Sequence, residues 1–310
     1  PSSALRTTLT YHPRGWVSNT DFPGTTPDIA KTYDANGNVL TTNRGGINWT
    51  YQYNDLDLPT SESVTLDGRT FAVGHGYNAL GRLTSMTAPT SASPIDYDVD
   101  AFGRPTTVRT YSWRYADAIQ YHPNGLVSSA AYKNGLFLTQ TLNARQQVFD
   151  LDVSGSVLDL RYSYDARRKI TSIADLAVSG QNRGFTYDLK GRLLTASGPW
   201  GSGSFKYDAA DNIRQKILGS RTVNINYDSA KNRVSNVVDS INGTRTWAHD
   251  TRGNVTDNGP VALGYDTANQ PTSMSVSGAS ATYTYDGNLK RIKTVENGVT
   301  TYSIYSKVTG

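Results

Sequence analysis

The chain has 310 residues and a formal net charge of +4, and its mean hydropathy of −0.50 with 37% hydrophobic residues is polar for a compact globule. Its 30 basic and 26 acidic residues are scattered along the whole length, which excludes the clustered basic footprint of a nucleic-acid binder. With no cysteine it has no disulfide framework and no thiolate site, and it contains no apolar run long enough for a membrane-spanning helix. Aspartate outnumbers glutamate 24 to 2 and glycine reaches 28, a balance that favours turns over helices. Twenty tyrosines with abundant Thr and Val supply strand formers, so the composition is all-β. The chain begins at Pro1 with no initiator Met and no signal peptide, and reads as a fragment whose targeting segment lies elsewhere.

Taken in chain order, the predicted elements are β-hairpins that share one motif, Tyr-Asp-x-x-Gly-Arg-Leu. The first begins at Tyr11, with His12-Pro13 opening its turn, and the second at Tyr33. The copies at Tyr53 and Tyr77 place Asn54 and Asn78 in the aspartate slot, and the next, at Val99, keeps Asp100. Tyr121 repeats the His-Pro variation with His122-Pro123, and Leu142 starts a looser copy with Gln146 in the glycine slot. Tyr164 follows with Arg168 in that slot, and the cleanest copy is Tyr187-Asp188-Leu189-Lys190-Gly191-Arg192-Leu193. Copies at Tyr207, Tyr227, His249, Tyr265 and Tyr285 complete fourteen, spaced 16 to 24 residues apart. Those at Tyr227 and Tyr285 read as one residue longer, and the poor fits at Gln146 and Arg168 weaken those two turns.

Each copy alternates apolar and polar residues before the tyrosine, as strands do. Asp-x-x-Gly then makes a type I turn closed by a residue at positive φ. The aspartate accepts backbone N–H bonds, and glycine fits the left-handed position without a Cβ clash. Asp57, Asp211 and Asn269 in the glycine slot are the next best left-handed residues. This turn pairs the motif tyrosine with the residue six later, as Tyr187 with Leu193, Tyr77 with Leu83, Tyr33 with Val39 and Tyr164 with Ile170. The opposite face then carries Asp188 with Arg192, Asp100 with Arg104 and Asp165 with Lys169. Pro59, Pro105 and Pro271 occupy the sixth step, where they leave the hairpin intact but weaken contact with the neighbouring hairpin.

No residues are assigned catalytic, cofactor-binding or metal-binding roles. His12 and His122 sit in the aspartate slot and His249 in the tyrosine slot, so the repeat accounts for three of the four histidines; no carboxylate partner is evident for any of them, His75 included. The glycine-rich stretches 197–203 and 74–76 precede no helix and read as loops between repeats, not phosphate cradles. Trp200 is an exposed-looking aromatic suited to packing or to stacking on a sugar. Asp/Arg pairs recur with every hairpin and so look structural, whereas glycoside hydrolysis needs two carboxylates that converge once.

Tandem copies of this motif resemble the Rhs/YD-repeat family of bacterial Rhs toxins, C components of insecticidal toxin complexes, wall-associated proteins and teneurins. The resemblance implies an all-β array of antiparallel hairpins, residues 1–310 as one repeat array, joined edge to edge into a curved or spiralling sheet that forms part of a shell or belt. It implies a non-enzymatic structural scaffold, the wall segment of a secreted or cell-surface toxin-encapsulating shell of bacterial origin. The implied partners are missing flanking repeats and an enclosed C-terminal toxin domain, with glycans as a further option, but no nucleic acid and no membrane span; no cofactor is expected. The family's self-cleaving segment carries an Asp-Pro signature, and no Asp-Pro pair occurs in this chain. No toxin, plug or self-cleaving segment is therefore expected within it. The other readings are a carbohydrate- or protein-binding surface module and a polysaccharide-degrading enzyme with Tyr and His as acid and base. Fourteen hairpins at roughly 4.8 Å per strand would make a strip about 134 Å long and about 23 Å tall.

Overall fold

The motif turn is the unit from which the structure is built. In the computed structural model, which describes residues 6–91, 93–111 and 113–309, Asp188 N donates to Arg192 O at 2.9 Å and Gly191 N to Asp188 O at 2.9 Å. The Asp188 carboxylate takes the Arg192 backbone N–H at 2.9 Å and the Arg192 guanidinium at 2.7 Å. Those donors, led by the backbone N–H, hold its pKa below the ordinary carboxylate range. Gly191 and Gly81 sit at φ +80° and +72°, and Asp57, Asp211 and Asn269 take the same left-handed position. Gln146 (φ +62°) and Arg168 (φ +68°) adopt it too, because the paired strands on either side dictate the turn more strongly than the residue's own preference.

The pairs expected from the turn are present: Tyr187 opposite Leu193, Tyr77 opposite Leu83, Tyr33 opposite Val39 and Tyr164 opposite Ile170. One step further, each register shifts. Thr186 faces Thr195, so Leu194 is an extra residue on the return strand. Leu40 and Arg214 are extra in the same way, where Thr32 faces Thr41 and Lys206 faces Gln215. A bulge at this fixed place recurs from repeat to repeat, bends the returning strand and raises local twist. Strict period-two alternation across the turn does not show it.

Two expectations need correction. The copy at Tyr227 is one residue longer, with Tyr227 opposite Val234, but Tyr285 pairs with Arg291 at the ordinary spacing. Its glycine slot is filled by Leu289 at φ +60°, while Gly287 serves a different purpose described below. The glycine-rich stretches are strands, not loops: residues 74–76 lie within Arg69–Tyr77, and 197–203 span the tight hairpin between Leu193–Gly198 and Gly201–Tyr207. The strands approach closely there: a Cβ on Gly76 would lie 2.3 Å from the Ser85 hydroxyl, which would have to turn away.

Thirty strands, β1 (Thr8–Tyr11) to β30 (Val299–Tyr302), account for the fold, with no helix among the described residues. β1 to β23 (Gly243–Thr246) belong to one 23-stranded antiparallel sheet, and β24 (Ala248–His249) to β30 form a seven-stranded one. The contacts divide the chain into two compact units, Pro1–Asp96 with Ala248–Gly310, and Tyr97–Trp247. In the first unit strands of both sheets pack over Ile47, Trp49, Tyr51, Val64, Leu66 and Ile292. In the second, the buried apolar side chains among the described residues are Ala130, Leu160 and Ala196. That unit is held by its strand ladder and by contacts between successive repeats, not by a core.

Candidate functional site

Two sets of side chains go beyond hairpin formation: a ladder that links successive repeats, and a seam in the first unit. The ladder begins with the motif tyrosine. Eight tyrosine hydroxyls (33, 53, 77, 121, 164, 187, 207 and 227) donate to the backbone carbonyl at the sixth step of the preceding repeat, at 2.5–3.2 Å. Tyr187 reaches Ile170 O at 2.7 Å, for example, and Tyr207 reaches Leu193 O at 2.8 Å. Burial pushes the Tyr187 hydroxyl pKa up, as it does for Tyr77 and Tyr164.

This bond also corrects the reading of the prolines. The ladder to the next hairpin starts two residues beyond the sixth step, as where Ser61 faces Gly74, so no N–H is needed at Pro59. Its carbonyl still accepts Tyr77 Oη at 2.9 Å, and Pro105 accepts Tyr121 Oη at 2.7 Å, so contact between neighbouring hairpins is kept. The motif arginine has a second partner that spacing did not reveal. Arg192 pairs with Asp188 while its guanidinium lies 4.5 Å from the centre of the Tyr207 ring in the next repeat. Arg104 over Tyr121 at 4.3 Å and Lys169 over Tyr187 at 5.3 Å repeat the arrangement, a cation–π contact.

The seam joins segments 222 to 245 residues apart in sequence. Trp49 Nε1 donates to Asp286 Oδ2 at 2.7 Å inside the core, and Asn288 Nδ2 donates to Tyr51 Oη at 2.9 Å. Arg44 pairs with Asp266 at 2.7 Å, and Lys293 with Asp67 at 2.6 Å. The turn at Tyr285 inserts its tip here. A Cβ on Gly287 would lie 2.2 Å from Thr42 Cγ2, so only glycine lets the tip seat against that strand.

Glu62 lies at the end of the seam and is one of two glutamates in the chain. Its side chain is 1% exposed and accepts from Ser306 Oγ at 2.6 Å, from the Lys307 backbone N–H at 3.1 and 3.0 Å, and from His75 Nε2 at 3.0 Å. Burial alone would raise its pKa, but the hydrogen bonds from His75 and Ser306 outweigh it and hold the carboxyl below its ordinary value. Sequence reasoning saw no carboxylate near a histidine. The structure corrects that, because Glu62 and His75 lie on adjacent strands, with His75 two residues beyond the Glu62–Val73 pair. The rarity of glutamate was the available signal.

Glu62, His75 and Ser306 together do not form a proton relay. Ser306 Oγ and Glu62 Oε1 both approach the same ring nitrogen, His75 Nε2, at 3.3 and 3.0 Å, while Nδ1 is buried with no partner. A serine–histidine–carboxylate relay needs one partner on each nitrogen. The group acts as a clasp for the segment Ser303–Thr309: Ser306 Oγ also accepts from Val308 N and Thr309 N, and Lys307 Nζ lies 3.6 Å from the Tyr51 ring centre.

The remaining histidines sit where the repeat places them. His12 Nδ1 accepts the Arg14 N–H at 3.2 Å, doing the work of the motif aspartate, His122 Nε2 meets Gln140 O at 2.8 Å, and His249 pairs with Val255. Trp200 is 47% exposed and covers Gly198, whose Cβ position would lie 2.6 Å from the ring. Among the described residues no group of three or more His, Cys, Asp or Glu could hold a metal ion, and no helix is long and apolar enough to cross a membrane.

Turns closed by aspartate, tyrosines bonded to the preceding repeat and arginines over the next tyrosine define a tandem β-hairpin repeat protein of the YD type. The family model described as the teneurin YD-shell matches residues 143–309, and the chain belongs to that family. It also shares its fold with solved toxin-complex structures. The crystal structure of TcdB2-TccC3-Cdc42 aligns at a TM-score of 0.63 and 13% identity over 95% of this chain and 20% of the matched one. TcdB2-TccC3 without its hypervariable C-terminal region aligns at 0.60 and 13% over 94% and 19%. The Tc holotoxin pore of Photorhabdus luminescens aligns at 0.53 and 12% over 93% and 20%. The chain thus spans about a fifth of the length of these structures. No curated protein sequence matches it.

Proposed function

We propose that this chain is a non-enzymatic wall segment of a secreted or cell-surface shell that encloses a toxin domain. The observation that carries this reading is the ladder. Eight of the fourteen hairpins are bonded to the preceding one through the motif tyrosine hydroxyl, and Arg104, Lys169 and Arg192 lie over the tyrosine of the next repeat, so the array extends by repetition and needs no separate core, as residues 97–247 illustrate. The second unit leaves large apolar side chains such as Phe102, Phe149 and Leu189 exposed, which suits contact with a partly folded cargo. In this reading the partners are further repeats that pair with the open sheet edges and a toxin domain within the same protein. Polar groups are spread along the ladder, where an acid–base mechanism needs them gathered at one place.

The test uses the parent protein. Its cargo domain is expected to resist added protease while the wall is intact and to be digested once the wall is cut; equal digestion in both states would refute encapsulation. Incubation of the purified chain for days with alginate, pectin and peptidoglycan is expected to release no product and to leave its own mass unchanged. Turnover lost in a His249→Ala variant that still folds would favour the enzyme.

A further inference from the structure

The sheet of the second unit has two rims. Because consecutive strands are antiparallel, the motif turns lie on one rim and the turns that join one hairpin to the next lie on the other. Seven joining turns follow one another there, from the one after Pro105–Arg109 to the one before Gly243–Thr246. Each carries an exposed apolar side chain at or beside its tip, from Tyr111 at 93% exposure in the first to Ile241 at 69% in the last, with Val157, Val178 and Trp200 in three of those between. Turn backbones call for Gly, Asn, Asp or Ser, not for these residues. Four joining turns of the first unit obey that preference, with Gly45-Gly46, Asp67-Gly68, Ser277-Gly278 and Asn297-Gly298 at their tips, and the exposed apolar residue beside them is Val299. A continuous apolar row confined to one rim of one unit marks a surface that is covered in use.

The row is as large as a dimer needs. Six steps of two strands at roughly 4.8 Å make it about 58 Å long, and a sheet thickness of about 10 Å gives it about 600 Å². Two such rims would bury about 1,200 Å², the lower bound for a specific protein interface. The charges along the rim select among occupants. Arg114 and Lys133 mark the first two turns, and Asp152 faces Asp159 across the third. The fifth, between Gly198 and Gly201, carries no charge, and at the far end Arg221 is neutralised by Asp239. A lipid surface would press the Asp152–Asp159 pair towards hydrocarbon. The motif turns of another copy would bring the charged residues Arg145, Arg167 and Lys190 to an apolar row. The same rim of a second copy, running in reverse order, avoids both: the acidic third turn meets the uncharged fifth, the cationic first two meet the end that holds Asp239, and apolar tips meet apolar tips. We infer that this rim is a self-association surface, on which a second copy of this chain docks rim to rim across a two-fold axis at the fourth turn, residues 176–182. Such an axis maps the rim onto its own reverse, so a bend in the sheet opens no gap. The inference goes beyond the wall reading and does not depend on it, since cargo protection and self-association are measured separately.

The experiment is sedimentation velocity on the purified chain over a range of concentrations. A monomer–dimer equilibrium in the micromolar range is expected, as befits a contact at the lower size bound. Val178→Asp sets like charges against each other across the axis and is expected to weaken the dimer by about tenfold or more. Leu80→Ser, at an exposed motif turn of the first unit, leaves it unchanged. An unaltered unfolding midpoint checks that each variant folds. Because the chain has no cysteine, single-cysteine variants report the register under oxidation by dissolved oxygen. Val178→Cys is expected to form a disulfide-linked dimer, and Tyr111→Cys is expected to link to Ile241→Cys in a mixture but not to itself. A chain that stays monomeric at about 100 µM, well above the expected range, would overturn the inference. So would a dimer that survives Val178→Asp, a Tyr111→Cys chain that links to itself, or a rim that carries the chain onto phosphatidylcholine vesicles instead of onto a second copy.

Discussion

The motif tyrosine carries two jobs that a phenylalanine would split. Its ring packs beside the partner at the sixth step, and its hydroxyl satisfies a carbonyl of the preceding repeat. Tyr187→Phe should therefore cost about 1 kcal/mol, the net worth of one such bond with an acceptor left unmatched. Tyr11, which is 56% exposed and whose hydroxyl makes no such bond among the described residues, is the control in this chain: Tyr11→Phe should stay within about 0.5 kcal/mol. Denaturant unfolding of both variants distinguishes the roles, and equal effects would show that the hydroxyl is incidental. The glycine slot obeys backbone sterics. Gly191→Val places a β-branched residue at φ +80°, and should destabilise by about 1 kcal/mol or more. The Cβ would also meet Lys169 Cε at 2.5 Å, but that flexible side chain can move, so the backbone is the source of strain. Faster hydrogen exchange is expected in the repeats at Tyr164, Tyr187 and Tyr207, with the first unit unaffected.

At the scale of an element, the Tyr285 hairpin shows what the seam demands of a turn. Gly287→Ala drives a methyl group into Thr42 Cγ2, and overpacking of this kind costs about 1–3 kcal/mol. Thr42→Ser removes that methyl, and the next nearest neighbours, Ile29 Cγ2 at 3.4 Å and Thr42 Cβ at 3.5 Å, are ordinary contacts. The double variant Gly287→Ala with Thr42→Ser should thus recover much of the lost stability. A double-mutant cycle with no coupling between the two positions would disprove the close approach. The motif alone could not have shown this, because the glycine sits outside the slot that the turn reserves for one.

Over the whole molecule, the two units should respond differently to stress. The second unit is a chain of neighbour contacts, whereas the first is tied across more than 220 residues of sequence by Trp49–Asp286 and the Glu62 clasp. The clasp gives the first unit a dependence on acid. Glu62 has a folded-state pKa below its ordinary value, so its contribution is present above the unfolded value of about 4.3 and is lost as the pH falls through the folded value. Stability of the first unit, followed by the fluorescence of buried Trp49, should decline below about pH 4. Glu62→Gln should cost about 1–3 kcal/mol at neutral pH and flatten that decline. An unchanged acid slope in Glu62→Gln would assign the sensitivity to other carboxylates.

The hairpins, their turn residues and the Tyr187–Leu193 type of pairing were legible in the sequence because they are local: a seven-residue motif holds both sides of the turn, and backbone sterics select its glycine. The resemblance carried by fourteen copies likewise needed nothing beyond the sequence. Tertiary structure decided the rest. The hydroxyl bond to the previous repeat and the arginine over the next tyrosine depend on how one hairpin lies against another. The Glu62–His75–Ser306 clasp and the Gly287–Thr42 contact depend on two stretches of chain that meet only when the strands of the first unit pack together. Period and propensity report the neighbours of a residue along the chain, and the free energy of that packing comes from apolar surface and polar groups brought together from its opposite ends.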